Sequence, residues 1–167
     1  MAELTPRERL QPALLDRLTD DEPDKTAESR EQRVVSLDKL RKSVIRDLEW
    51  LFNAVNLAST VDLDPHPLVA ESVLNYGLPG FGGQAASSFD AVALERYLRQ
   101  SIWNFEPRIL RDTLQVHAVL DEQKMNLNAI AFEISGELWA QPMPIRLFLR
   151  TEIDLEDKRV KVVETLW

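Results

Sequence analysis

The residues best suited to specific chemistry are the acid and the base on either side of a proline in Glu106-Pro107-Arg108. Proline fixes its own φ angle and holds the residue before it in the extended region, so both charged side chains leave the backbone in set directions. A guanidinium offers five donors in a planar fork, whereas a carboxylate only accepts. The triplet therefore predicts either a buried mutual ion pair that closes a helix or a docking point for complementary groups on another protein.

The same glutamate has a possible catalytic use as the acid of a glycoside hydrolase. Glycoside cleavage needs two carboxylates, one of them kept protonated by apolar surroundings, and Trp103 and Phe105 lie next to Glu106 in the chain. However, Arg108 two residues away would keep Glu106 ionised, and no second carboxylate stands out. We therefore predict no catalytic residue, and a peptidoglycan hydrolase remains an alternative function.

Composition limits the classes of function. The 167 residues suit one domain, and the absence of cysteine excludes disulfides and thiolate chemistry. A formal charge of −8, from 28 acidic against 20 basic residues, repels nucleic acid and anionic lipid. No apolar run reaches the roughly 18 residues that span a bilayer, and the first nine residues have no hydrophobic signal core. We expect a cytoplasmic protein with no membrane insertion, no metal, no cofactor and no small-molecule substrate.

The N-terminal part of the chain is expected to behave differently from the rest. Leu14, Leu15 and Leu18 lie on one side of about two helical turns, whereas residues 19–33 are mostly charged or polar. We interpret residues 1–35 as a mobile docking segment and charged linker, with the three leucines as partner contacts. The alternative is a disordered tail with scattered leucines. Residues 36–167 are predicted to form a single domain.

Three helical patterns open this domain. Ser36 is a candidate N-cap for a long amphipathic helix, whose off-stripe charges such as Arg46 and Asp47 are expected to face solvent. The apolar stripe of this helix comprises Leu37, Leu40, Val44, Leu48, Leu51 and Val55. A brief helix is predicted at residues 68–76, stopped by Gly77. Ser88 or Asp90 then caps a helix that ends at Pro107, with Val92, Leu94, Tyr97, Leu98 and Ile102 facing inward.

From Leu110 onward, apolar and polar residues alternate, which is typical of strands with one wet face. The apolar positions are Leu114, Val116 and Ala118, then Ile130, Phe132, Ile134, Gly136 and Leu138, then Ile145, Leu147 and Leu149. His117 lies in the polar phase, and a last short strand is predicted at residues 159–164. The predicted fold is α+β, with N-terminal helices packed on one face of an antiparallel β-meander of three to four strands.

A meander leaves two sheet edges, and an exposed edge either carries protective charge or accepts a strand from another chain. In the last predicted strand, cations would discourage self-pairing while Val160 and Val162 offer apolar registration to a partner strand. We therefore expect strand addition here. Deleting residues 156–167 is expected to abolish assembly with a partner while the helical core stays folded.

Four segments together resemble a known family. They are residues 14–18, 43–53, 72–79 (Ser-Val-Leu-Asn-Tyr-Gly-Leu-Pro) and 105–108 (Phe-Glu-Pro-Arg). The chain resembles TssE, the baseplate subunit of bacterial type VI secretion systems, which is similar to the sheath-initiating wedge protein of contractile phage tails. In that family the Glu-Pro-Arg triplet is the hallmark, and it is carried over here to Glu106, Pro107 and Arg108.

The resemblance implies a structural, non-enzymatic protein that links the wedge complex to the contractile sheath and initiates sheath assembly. The implied partners are the wedge components TssF and TssG, TssK, and the sheath subunits TssB and TssC, at a baseplate docked on the inner membrane. Glu106→Ala or Arg108→Ala is then expected to weaken wedge binding and leave folding largely intact. Because members of this family have been labelled lysozyme-like, the hydrolase alternative stays open, as does an adaptor that binds another regulatory protein.

Overall fold

Helices come first in the chain and strands last. The computed structural model describes residues 13–19, 23–24, 36–80, 90–119, 129–140, 143–154 and 159–165. The helices are α1 (Leu14–Leu18), α2 (Leu37–Asn53), α3 (Pro67–Ala70) and α4 (Ala91–Phe105). The strands are β1 (Gln115–Val119), β2 (Ala129–Leu138), β3 (Ile145–Asp154) and β4 (Val160–Glu164), which pair antiparallel in the order β1-β2-β3-β4. The predicted α+β meander is confirmed.

Helix α2 begins where the sequence predicted. The Ser36 Oγ accepts a hydrogen bond from the Lys39 N–H at 3.1 Å, which satisfies one of the free donors of the first turn. The buried stripe comprises Leu40, Val44, Leu48, Leu51 and Phe52. Val55 does not belong to this stripe, because the helix ends at Asn53 and Val55 is exposed. It forms an isolated parallel bridge with Leu78 instead.

The brief helix predicted at residues 68–76 is wrong as a single element. The structure has α3 and then a separate 3₁₀ turn at Val73–Asn75. Ser72 separates them, because its hydroxyl donates to the Val69 carbonyl at 2.9 Å and accepts from the Leu74 N–H at 3.2 Å. A short polar side chain that bonds the backbone on both sides favours a break over a continuous helix.

Gly77 closes this segment with a φ of +124°, a conformation that side chains rarely adopt. A Cβ at this position would lie 2.4 Å from the Ala54 carbonyl oxygen. The close approach allows the Leu78 N–H to donate to that same oxygen at 2.9 Å. On the other side, the Ser101 hydroxyl of α4 donates to the Gly77 carbonyl at 3.1 Å. Gly77 therefore lies between the C-terminal end of α2 and the C-terminal half of α4 and contacts both.

Helix α4 is capped by Asp90, one of the two predicted residues; Ser88 lies outside the described residues. One Asp90 carboxylate oxygen accepts from the N–H groups of Val92 and Ala93 at 3.0 and 3.1 Å. The buried face consists of Leu94, Leu98, Ser101 and Ile102. The inward positions predicted for Val92 and Tyr97 are wrong, since both side chains are exposed. The buried stripe is narrower than the run of apolar residues.

One face of the sheet packs against α2 and α4, and the other carries polar residues such as the exposed His117. The sheet contributes Val116, Phe132, Ile134, Leu147, Leu149, Ile153, Val160 and Val162 to the core. Val160 and Val162 are part of that core and α2 packs on β4, so removing residues 156–167 would take core side chains away together with the strand. We therefore expect this deletion to destabilise the domain, which differs from the expectation from the sequence.

No helix among the described residues combines the length and the apolar composition that crossing a bilayer requires.

Candidate functional site

The acid–proline–base triplet lies at the end of α4, where the chain turns toward the sheet. The Glu106 N–H donates to the Ile102 carbonyl at 2.8 Å, which completes the last helical turn. Pro107 follows and is exposed, and the Trp139 N–H donates to the Arg108 carbonyl at 2.7 Å. The backbone on both sides of Pro107 is thus held by hydrogen bonds, and the proline ring points into solvent.

Glu106 and Arg108 form a mutual ion pair. The Arg108 Nε donates to one Glu106 carboxylate oxygen at 2.6 Å, and its Nη2 donates to the other. Glu106 is only 3% exposed, so its charge depends on this partner. The structure therefore contains the mutual ion pair that was one of the two interpretations of the triplet. Because both oxygens of the Glu106 carboxylate accept bonds from arginine, neither is free to contact a glycosidic oxygen.

The pair is one end of a longer chain of alternating charges, the ion-pair ladder. It consists of Glu106, Arg108, Asp47, Arg46 and Asp16. Arg108 bonds Asp47 at 2.6 Å, Arg46 bonds Asp47 at 2.8 to 2.9 Å, and Arg46 bonds Asp16 at 2.7 Å. The ladder connects α1, α2 and the end of α4.

Ionic contacts keep Arg108 charged in this setting. Burial by itself would lower the pKa of the Arg108 guanidinium, but the hydrogen bonds and negative charges of Glu106 and then Asp47 outweigh that effect. The pKa of Arg108 therefore lies above its usual value. The remaining face of the guanidinium donates to the Ser43 hydroxyl of α2 at 3.2 Å. Arg108 is therefore a cross-link between the turn and α2.

The leucines of α1 point away from the rest of the molecule. Leu14 and Leu18 are largely exposed and Leu15 partly so, while Asp16 in the same helix is 8% exposed at its side chain. Asp16 fixes α1 to α2 through Arg46. Residues 13–19 and 23–24 are the described part of the predicted 1–35 segment; its other residues lie outside the described ranges.

A groove of about 380 Å³ runs beside the triplet. Its lining is Ala13, Trp50, Leu51, Tyr76, Phe105 and Pro107, together with Asp47, Glu106 and Arg108 of the ladder. The rings of Tyr76 and Phe105 meet edge to face at 5.3 Å. Trp50 is exposed, with the Arg46 guanidinium 5.3 Å from its ring centre. The groove is thus lined by both apolar and charged side chains.

Tyr76 provides a pH test of this geometry. Burial, then the negative charges of Asp47 and Glu106, raises the pKa of the Tyr76 phenol above 10.0. In a Tyr97→Phe variant, Tyr76 is the remaining tyrosine, and its ultraviolet titration should have a midpoint above 10 in the folded protein and near 10 in denaturant. Because the native state resists ionisation, this contribution to stability is complete below pH 10 and is lost as pH rises through the folded pKa. A folded midpoint at or below 10 would show that Tyr76 is neither buried nor close to the acids.

The free edge of β4 is partly closed by a helix residue. The Asn53 side chain donates to the Val160 carbonyl at 2.8 Å and accepts from the Val160 N–H at 3.0 Å. Arg159 and Thr165 bond β3 instead, so the outward backbone groups of β4 are those of Val160, Val162 and Glu164. Among the described residues, the outward groups of Val162 and Glu164 have no partner. Within the part of the chain that the structure describes, the open stretch of this edge thus begins after Val160.

The side chains of Val160 and Val162 face the core, so a strand added at this edge would bond their backbone and not contact those side chains. At the opposite edge, the Ala118 N–H of β1 donates to the Glu95 carboxylate of α4 at 2.6 Å. Among the described residues, each sheet edge therefore carries a polar cap supplied by a helix.

Sequence reasoning missed the residues that complete the ladder. Arg46 and Asp47 were expected to face solvent, which is wrong, because both are half-buried in ion pairs. The one available signal was position: Asp47 follows Val44 by three residues and precedes Leu48, so it borders the buried stripe. Asp16 offered no such signal, since its partner lies 30 residues away.

Comparison with known protein families finds a match over the central part of the chain. Residues 38–143, more than half of the chain, match the family described as baseplate wedge protein gp25. The matched range contains α2 except its first residue, then α3, α4, β1 and β2, and the whole of the Glu106–Arg108 turn. No curated protein and no solved structure matches the chain.

Proposed function

Because the chain belongs to the baseplate wedge protein gp25 family, we propose that it connects the wedge complex to the contractile sheath in a type VI secretion baseplate. Membership establishes a structural baseplate role and interactions with other baseplate components. The proposed partners are TssF, TssG and TssK on the wedge side and TssB and TssC on the sheath side. We place the assembly on the cytoplasmic face of the inner membrane and propose that the chain has no enzymatic activity.

The observation that carries this proposal is the rigid turn at Pro107, which lies within the family match. Both charged residues of the triplet form hydrogen bonds within the protein. Glu106 bonds Arg108, and Arg108 bonds Asp47 and Ser43 as well. They therefore hold the turn in place, and the exposed Pro107 and Trp50 beside it supply the contact surface. A preorganised surface loses little conformational freedom on binding, which favours tight binding to the wedge.

The N-terminal segment lies next to the same proposed wedge interface. α1 lies against α2 through Asp16 and Arg46, and Ala13 lines the groove beside the triplet. The exposed Leu14, Leu15 and Leu18 would cost free energy in water unless another protein covers them. We assign these leucines to the wedge interface, next to the turn.

The β4 edge is the proposed sheath end of the molecule. The N–H and C=O groups of Val162 and Glu164 point outward at strand spacing, which is the arrangement that accepts an added strand. The wedge contact and the sheath contact would thus be carried by different parts of one domain. That separation suits a connector.

Co-expression with candidate TssF, TssG and sheath subunits, followed by pull-down, tests the proposal. In this assay Trp50→Ala should weaken wedge binding by about tenfold or more, because exposed tryptophans beside a rigid groove often dominate interfaces. Tyr97→Ala is the matched control, since Tyr97 is also exposed and has the Arg96 guanidinium 5.6 Å from its ring centre, but lies on α4 outside the groove. Tyr97→Ala should bind as the unmodified protein does.

Equal binding by both variants would remove the groove from the wedge interface. If neither wedge nor sheath proteins co-purify with the unmodified chain, the connector role itself fails, and an adaptor for another regulatory protein becomes the better explanation.

A further inference from the structure

Residues 55–75 form a lobe of short helical turns that neither the proposed wedge contact nor the proposed sheath contact uses. Asn75 holds its parts together: its side-chain amide donates to the Ala70 carbonyl at 2.8 Å and accepts from the Ala58 N–H at 2.9 Å. Asn56 caps the first turn by accepting from the Ser59 N–H at 3.1 Å. Side-chain hydrogen bonds therefore fix much of the backbone of the lobe, in which Leu63 is the one buried apolar side chain.

The lobe directs large apolar side chains into solvent. Leu68 is 84% exposed, Val73 78% and Leu74 67%. They lie on α3 and on the adjoining 3₁₀ turn, which contact each other. Single exposed leucines are ordinary, but three on adjoining turns of a hydrogen-bonded platform form a patch. Such a patch is already ordered, so a partner that covers it gains apolar burial at little cost in backbone freedom.

The charge of the lobe is of one sign. Asp62, Asp64 and Glu71 are exposed in it, and no lysine or arginine occurs between Arg46 and Arg96. The cations of the chain lie on other elements. An apolar patch with an acidic rim is complementary to a surface in which apolar residues are flanked by positive charge.

We propose that the 55–75 lobe is a docking surface for a segment of another protein in which apolar residues are flanked by lysine or arginine. Lobe-to-lobe pairing of two copies would bring Asp62, Asp64 and Glu71 against their own kind, which is unfavourable. An anionic membrane surface is repelled for the same reason. A protein segment with both apolar and basic residues would cover the apolar patch and pair with the acidic rim.

This surface is distinct from the groove at Pro107, and β4 contributes nothing to it. Its test therefore does not depend on wedge or sheath binding, and either proposal can fail while the other stands.

Two synthetic peptides of matched length test the inference by fluorescence anisotropy with the full chain at low salt. One carries leucine at helical spacing with lysine between, and its twin carries glutamate in place of lysine. We expect the lysine peptide to bind at least about tenfold more tightly than its twin. Leu68→Ser should weaken binding by about tenfold, and so should neutralisation of Asp62, Asp64 and Glu71 to the corresponding amides.

Val92→Ser is the matched control, because Val92 is similarly exposed but lies on α4. It should leave binding unchanged. Equal affinity for the two peptides, no binding of the lysine peptide, or equal loss in Leu68→Ser and Val92→Ser would each overturn the inference. So would self-association of the chain that Leu68→Ser abolishes, because the lobe would then be an interface between copies.

Discussion

Replacing Arg108 by alanine is expected to lower the free energy of unfolding by about 3 to 5 kcal/mol, the range for removing one member of a buried ion pair. The loss arises from what remains: Glu106 is 3% exposed and would keep a charge with no cationic partner. Asp47 would still have Arg46. The Arg108 side chain is 22% exposed, so water can enter the vacated site, and we expect a value in the lower part of that range.

This result would correct the expectation that folding stays largely intact after Arg108→Ala. Urea denaturation followed by circular dichroism measures it. Arg146→Ala is the control, because Arg146 is exposed on the outer face of the sheet, and its effect should stay within about 0.5 kcal/mol.

A double variant, Glu106→Gln with Arg108→Met, separates lost charge compensation from lost packing. Glutamine at position 106 carries no charge to be left uncompensated, so the double variant should be more stable than Arg108→Ala alone. If Arg108→Ala unfolds no more easily than Arg146→Ala, the ion pair does not hold the turn.

Local patterns in the sequence determined most of the architecture. The Ser36 cap, the stripe from Leu40 to Leu51 and the alternation in β2 and β3 each follow from neighbouring residues, and the structure confirms them. The predictions were wrong where the apolar spacing continued past the end of a helix or beyond its buried face. Val55 continued the spacing of α2 after the helix had ended, and Val92 and Tyr97 widened the stripe of α4.

The site was predictable only in part. A proline between two charged residues fixes local directions, which is why the Glu106–Arg108 pair could be proposed. The contacts of Arg108 with Ser43 and Asp47 span 65 and 61 residues, and no local pattern reports such distances. The Asn53 cap on Val160 spans 107 residues and depends on how α2 meets the last strand. These contacts arise from tertiary packing.

If the chain starts the sheath through the β4 edge as proposed, Glu164→Pro is expected to abolish sheath initiation, whereas Glu164→Ala should preserve it. The Glu164 N–H points away from β3, so proline there removes a donor from the free edge and none from the β3–β4 ladder. The flanking Thr165 N–H still donates to the Phe148 carbonyl at 3.0 Å. Glu164→Ala removes the same exposed carboxylate, which lies 3.7 Å from Arg41, but keeps the backbone N–H donor at position 164. Both variants should therefore fold, which circular dichroism verifies.

The most direct test of the connector role is to count fluorescent sheath tubes in cells that lack this gene and are complemented with each variant. We expect tubes with the unmodified protein and with Glu164→Ala, and no tubes with Glu164→Pro or without complementation. Tubes in normal number in the uncomplemented cells would contradict the proposed role of this protein in starting the sheath, and tubes with Glu164→Pro would contradict the proposed use of the β4 edge.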